Sequence, residues 1–317
     1  MSAVTRLAVA GFALTVAAMS AQAERAVRAS GRAGVVRVAT PAPEAVEVPG
    51  GTFSMGLEPD AIELLKNHCK AMVGALAELC DALDEQFAGM RMRSVFVSRF
   101  AIGRREVTTE DYRECVAAGM CSLDPLVGQD GRYLRDEWPL VNVTWWEASE
   151  YCRWRQGRLP TEAEWERAAR GDDTRAWPWG DSPRPADFNH GRLTAAMMRG
   201  RGNVHDVLGD PDDADGALLL APPGSYPWGA GPFGTLDQAG NVAEWVYDAW
   251  SDTGYERLSG TNPVREPTLF DPRVVRGGSW RTTPETARVD ARDVFNDEYL
   301  PDMRSPYVGF RCAWDRR

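Results

Sequence analysis

Three short stretches gather residue types able to do chemistry. The first, Asp206, Asp210, Asp212, Asp213, Asp215 and Gly216, concentrates carboxylates in a loop. Ca²⁺ takes oxygen shells of this kind, but an EF-hand needs ligands at alternating positions and a closing Glu. Here Pro211 falls at the first ligand place and Leu and Ala fill others, so the loop is not an EF-hand. A looser Ca²⁺ site, built from one or two Asp with Asn side chains and backbone carbonyls, stays open. So does the reading that composition favours, a solvated acidic loop. The second stretch is Gly240-Asn241-Val242-Ala243-Glu244-Trp245. A lone Glu among aromatics usually makes a structural hydrogen bond or ion pair and is less often a metal ligand or general acid. The third, Arg276-Gly277-Gly278-Ser279-Trp280, is a sharp turn able to present Ser279 to a cleft, although Gly-Gly-Ser is also an ordinary turn. The chain holds no Gly-x-Ser-x-Gly elbow, P-loop, Rossmann fingerprint or kinase signature. Its three histidines, His68, His190 and His205, form no helical metal array.

Composition narrows the partners. The chain has 317 residues and a formal charge of −10, which argues against nucleic acid or an anionic membrane as the main partner. Residues 1–23 read as a secretory signal: Arg6 is followed by an apolar run from Leu7 to Met19 and by Ala21-Gln22-Ala23. That run is too short for a membrane anchor, and no later segment is long and apolar enough to span a bilayer. The mature chain is expected to start at Glu24 and to be periplasmic or extracellular. In an oxidising compartment the six cysteines, Cys69, Cys80, Cys115, Cys121, Cys152 and Cys312, read first as disulfides. None forms a C-x-x-C pair, so a zinc ribbon or a thioredoxin-like motif is not expected.

The elements that must carry these stretches follow from local pattern. Residues 24–47 lack periodicity and read as a tether, and the domain runs over 48–317, with Val48 to Gly56 as a turn entering a short strand. Ile62, Leu65, Cys69, Met72, Val73, Leu76, Cys80, Leu83 and Phe87 follow three-four spacing, predicting an amphipathic helical insert within about 57–91. Along one straight helix Cys69 and Cys80 would stand about 16 Å apart, too far for a disulfide. Either the helix breaks, with Gly74 as hinge and a hairpin closed by the pair, or these two do not pair with each other. Met92 to Ile102 reads as a strand. Thr108 with Asp111, Thr144 with Glu147 and Thr161 with Glu164 are capping boxes that start three helices. Gly119 and Gly157 are placed to stop the first two. A local Cys115–Cys121 bridge is then feasible. Short strands are expected at 273–276, 287–292 and 308–314. Interspersed helices and short strands make the class α+β.

The same stretches, in this order, resemble the formylglycine-generating enzyme, or sulfatase-modifying factor, family. The resemblance begins at Val48-Pro49-Gly50-Gly51-Thr52-Phe53-Ser54-Met55-Gly56 and continues through Glu106-Val107-Thr108 with Tyr112. It takes in Pro139-Leu140-Val141-Asn142-Val143-Thr144-Trp145 and Gly157-Arg158-Leu159-Pro160-Thr161-Glu162-Ala163-Glu164-Trp165-Glu166. Pro178-Trp179-Gly180, Gly240 to Trp245, Arg276 to Trp280 and Val308-Gly309-Phe310-Arg311-Cys312 complete it. It implies a C-type-lectin-like α+β fold with much irregular loop, and a Cys152–Cys312 bridge joining the second capped helix to the last strand.

The resemblance also implies two Ca²⁺ ions. One would be held by the Asn189 side chain, the His190 carbonyl, Asp215 and the Ala217 carbonyl. The other would be held by Asp237, the Gly240 and Val242 carbonyls, and Glu244. The family oxidase binds Cu(I) through two cysteines beyond Gly-Gly-Ser, activates O₂ and converts a substrate Cys to formylglycine. Thr282 and Ala287 stand at those two positions, and no Cys lies between Cys152 and Cys312. Hydroxyl and methyl groups do not suit Cu(I), so copper and the copper-dependent reaction are expected to be absent. The leading expectation is a Ca²⁺-stabilised, non-catalytic recognition module, monomeric, holding a protein, peptide or glycan in a cleft around Trp245, Ser279, Trp280, Arg281 and Arg288. The alternatives are an exported tailoring enzyme with other chemistry, as among pyoverdine-maturation relatives, and a divergent formylglycine-generating oxidase with another metal site.

Overall fold

A computed structural model describes residues 44–73, 89–192, 210–251, 253–284, 287–292 and 299–316. The expected signal segment, the tether up to residue 43, the Gly74 hinge, Cys80 with its partnership to Cys69, and Asp206 lie outside the described residues.

Each of the three capping boxes opens a helix. Thr108 starts α2 (Thr109–Ala117), Thr144 starts α3 (Trp145–Trp154) and Thr161 starts α4 (Glu162–Arg170), and each Thr–acid pair satisfies the reciprocal bonds. Ahead of them, α1 covers Pro59–Val73, the first part of the expected insert. Gly119, at φ +69°, follows the end of α2 as expected. Beyond α3 the left-handed residue is Gln156 at φ +61°, not Gly157. Gly157 is needed for another reason: a Cβ there would stand 2.5 Å from the Ala313 carbonyl oxygen, in the neighbouring chain crossing.

The strands are short and split among small sheets. β1 (Ala45–Val48) and β10 (Ala313–Asp315) both pair antiparallel with β4 (Phe100–Gly103). β1 therefore begins inside the segment expected to be a tether. β2 (Gly51–Met55) pairs with β3 (Arg93–Val97). The single strand expected over 92–102 is thus two strands, because the chain leaves one sheet at Ser98-Arg99 and enters another. β5 (Gly191–Arg192) and β6 (Asp210–Pro211) form a two-residue ladder. β7 (Ala243–Ala249) is the middle strand between β8 (Arg273–Arg276) and β9 (Val308–Gly309). Residues 287–292 form no strand and make only a bridge from Arg292 to Arg276. The expected last strand breaks at 310–312, where Phe310, Arg311 and Cys312 turn into the interior.

The main core joins these pieces. Tyr112, Trp145, Tyr151, Trp245, Val275, Val308 and Phe310 bury together, and the Cys152–Cys312 and Cys115–Cys121 disulfides are both formed. Every residue of α4 is buried, although five of its nine are charged. These charges meet others from distant segments. Glu162 accepts from Arg292 (Nη2–Oε2 2.6 Å) and Arg276 (2.9 Å), and Glu166 accepts from Arg276 (2.6 Å) and Arg170 (2.9 Å). Arg170 reaches Asp290, which also takes a two-pronged contact from Arg288. Asp248 accepts the Glu162 N–H at 2.8 Å and the Arg265 N–H at 2.7 Å. Glu162, Glu166 and Asp290 thus each have a guanidinium partner, as buried charge requires.

Candidate cation sites and the degenerate cleft

The turn before β7 is tightly coiled. Asp237, Gly240 and Asn241 have φ of +56°, +77° and +58°. Position 240 must be glycine, since a Cβ there would collide with the Asn189 carbonyl oxygen, which accepts the Asn241 N–H at 2.9 Å. This approach brings the two expected cation sites side by side.

At the first site, the Asp215 carboxylate accepts N–H bonds from His190 and Ala217, both at 2.8 Å. The loop therefore closes on the residues whose carbonyls the resemblance assigns. Burial lifts the Asp215 carboxyl above its ordinary range, against the pull of those two bonds. Asn189 is 1% exposed and donates to Leu219 O (2.6 Å) and Asn241 Oδ1 (3.0 Å), while its own Oδ1 has no partner.

The second site is a buried acidic centre. Both Glu244 oxygens meet Arg311 at 2.7 Å, and Trp165 Nε1 donates to Oε2 at 2.9 Å. Asp237 accepts the Gly224 N–H at 2.6 Å. Glu106, fully buried, accepts from Asn241 Nδ2 at 3.1 Å, and its Oε2 has no partner. Three carboxyl groups thus share one guanidinium. Burial and the Asp237 charge push Glu106 well above the carboxylate range, and burial raises Asp237 to about 6. Such a deficit of positive charge is relieved by protons or by a bound cation. Unpartnered, fully buried Glu106 Oε2 and Asn189 Oδ1, with carboxylates and carbonyls alongside, fit the mixed oxygen shell of Ca²⁺. Among the described residues no three His, Cys, Asp or Glu side chains are arranged to hold a metal, so a cation here would need amide and carbonyl oxygens as well. Sequence reasoning gives Glu106 and Asn241 no role, because their contact spans 135 residues.

The Gly-Gly-Ser turn is closed on itself. Thr282 Oγ1 accepts the Ser279 N–H at 2.9 Å, and the Thr282 carbonyl accepts the Gly191 N–H at 2.9 Å. Ala287 is fully buried among Trp177, Phe188 and Ala239. A hydroxyl engaged as an acceptor and a methyl packed in an apolar cluster do not fit Cu(I). Cys115, Cys121, Cys152 and Cys312 are all held in disulfides and offer no free thiol.

The cleft expected from sequence is not assembled as a set. Trp245 is a core residue whose Nε1 donates to Val143 O, because β7 is the central strand of its sheet. Arg288 is buried against Asp290 and the Trp177 ring. Ser279 and Trp280 are buried too, and only Arg281 reaches the surface. What the structure places there is a half-buried aromatic group. Tyr133 and Tyr307 flank Trp280 at ring distances of 6.2 and 5.5 Å, and Arg281 Nη1 donates to Tyr307 OH at 2.8 Å.

Short strands in several small sheets, few helices and long ordered loops define a C-type-lectin-like α+β domain. PvdO from Pseudomonas aeruginosa shares the fold with a TM-score of 0.59 and 22% identity, over 86% of this chain and 95% of that one. Residues 32–316 match the Sulfatase-modifying factor enzyme 1-like domain, and the chain belongs to that family. It is 31% identical to the formylglycine-generating enzyme of Thermomonospora curvata over 299 residues, covering 85% of this chain and 93% of that protein. It is also 35% identical over 179 residues to the inactive C-alpha-formylglycine-generating enzyme 2 of Mus musculus, covering 56% of this chain and 49% of that one. Several other enzymes it matches are spanned for only about half their length, for instance 57%, 54% and 47%. The family thus holds active and inactive members. No helix among the described residues is long and apolar enough to cross a membrane.

Proposed function

We propose that this protein is an exported, Ca²⁺-stabilised recognition module that does not oxidise cysteine to formylglycine. The observation that carries the reading is the state of the two positions aligned with the copper thiolates: a hydroxyl held by the Ser279 N–H and a methyl sealed between Trp177 and Phe188. Thiolate donors of the kind Cu(I) needs cannot be supplied there by rotating a side chain. Calcium would tie Asn189, His190, Asp215 and Ala217 to the Asp237–Glu244 turn through their oxygens, a structural task. The recognition surface is then the group formed by Tyr133, Tyr307 and Arg281 beside the closed turn. Aromatic rings with an adjacent guanidinium suit a peptide or glycan, offering flat apolar faces beside a positive charge.

The test is direct. The purified protein, loaded with Cu(I) under O₂, is incubated with a Cys-containing sulfatase peptide, and aldehyde is measured by mass spectrometry. We expect no aldehyde, stoichiometric calcium and no tightly held copper. Turnover to aldehyde with tight copper binding overturns the proposal.

A further inference from the structure

Leu269 and Phe270 stand at the apex of the loop that joins β7 to β8, 65% and 84% exposed. Large apolar side chains held together in water mark a contact surface. The loop that carries them is braced throughout. Its base is pinned to the end of β7: the Ala249 N–H donates to Arg265 O at 3.0 Å, and the Trp250 N–H donates to Pro272 O at 2.8 Å. Its tip closes as a four-residue turn in which the Asp271 carboxylate accepts the Thr268 N–H at 2.8 Å. Arg273, fully buried, grips the turn from below, donating to the Thr268 carbonyl at 2.7 Å and to the Asp271 carbonyl. Its guanidinium lies over the Trp145 and Trp146 rings, 4.6 and 5.6 Å from their centroids. Pro267 and Pro272 restrict the backbone on either side. The result is a rigid prong with an apolar tip. Two more exposed apolar side chains stand at its foot: Trp146, and Leu300, which follows the Tyr299 whose carbonyl accepts the Arg273 N–H at 2.8 Å.

The chemistry of the prong selects its partner. The Thr268 N–H and carbonyl, the Asp271 carbonyl and carboxylate, and the Glu266 carboxylate, which accepts the Tyr247 hydroxyl at 2.9 Å, are already bonded within the fold. A protein interface is read through directed hydrogen bonds as well as apolar anchors, and these groups are spent. A second copy of the chain would bring a like charge of −10 against the first. A fluid apolar phase asks only for apolar side chains with the neighbouring polar groups satisfied. Trp146, one layer behind the apex, is the residue type that favours the headgroup level. The acidic chain sets such a surface apart from anionic lipid, which would repel it.

We propose that the Leu269–Phe270 prong docks this protein reversibly on a zwitterionic lipid surface, its two side chains entering the acyl boundary and no segment crossing. This is independent of the calcium and copper readings above. The test is co-sedimentation of the full chain with phosphatidylcholine vesicles. The pelleted fraction should rise with lipid and fall when phosphatidylglycerol replaces part of the phosphatidylcholine. The double variant Leu269→Ser, Phe270→Ser changes only exposed positions and should lower the partition coefficient at least about tenfold, as expected for two apolar side chains no longer buried. Trp228→Ser removes a ring that is 77% exposed elsewhere on the surface and should leave binding within about twofold. Circular dichroism checks that the variants fold, and Phe270→Ser alone serves if the double variant does not. No pelleting, binding only when phosphatidylglycerol is present, or an equal loss from Trp228→Ser overturns the proposal. So does a lipid-free dimer in sedimentation velocity that the double variant splits, which would give the prong to a second copy instead.

Discussion

At the scale of single residues, the energetics concentrate in buried charge. Glu162 feels burial pushing its carboxyl up, but Arg292 and Arg276 more than offset this and hold it below the ordinary range. Glu162→Gln takes the buried Arg292 guanidinium from its Glu162 carboxylate and leaves Arg276 with Glu166, and breaking a buried pair in this way costs about 3–5 kcal/mol. Urea denaturation should report that loss, whereas Arg99→Ala, at an exposed pair with Glu47, should cost under about 1 kcal/mol. Asp248 behaves oppositely: burial and then the Glu162 charge lift its carboxyl to about 7, from 3.8 for the unperturbed group. Between those values the folded chain keeps a proton that the unfolded chain has released. Unfolding free energy should therefore fall as pH rises from about 4 to 7, by up to about 1.4 kcal/mol per unit. The gap between wild type and Asp248→Asn should change across that window and stay constant above it. Parallel pH–stability profiles for the two proteins would count against this assignment.

At the scale of elements, what was legible in the sequence was whatever is decided locally. A capping box closes within four residues, so Thr108, Thr144 and Thr161 announced their helices. The neighbouring Cys115 and Cys121 could likewise be paired by sight. The rest depends on distant partners. In α4, Glu162, Glu166 and Arg170 share one face at four-residue spacing, a pattern that on sequence alone suits a solvated face. It is buried because Arg276 and Arg292 arrive from more than a hundred residues away. The strand over 92–102 divides because pairing partners, not propensity, set its ends. The disulfides differ in reach: Cys152–Cys312 closes 160 residues and Cys115–Cys121 closes 6. On the chain-entropy model the first contributes about 5 kcal/mol and the second about 2. Chemical denaturation of the Cys152→Ala, Cys312→Ala and Cys115→Ala, Cys121→Ala double variants should reproduce that order, and equal losses would refute it.

At the scale of the whole molecule, two oxygen-rich turns and one acidic centre knit long loops that have little regular structure of their own. Chelation should loosen them together. At calcium a hundredfold above its dissociation constant, linkage supplies about 2.7 kcal/mol per site. Removing calcium with a chelator should then lower the melting temperature by about 5–10 °C, and an unchanged melting curve would show that the loops hold without it. The sheet of β1, β4 and β10 has a consequence of another kind. It seats the first and last strands of the described fold on either side of β4, and Arg316 meets Glu47 at 2.8 Å. The start of β1, opposite Gly103, and the end of β10, opposite Phe100, are then separated by roughly 10 Å along the strands and 10 Å across them. A spliced bridge of about six residues could span that gap, so the domain should survive circular permutation with new ends cut into an exposed loop such as the one around Leu269 and Phe270.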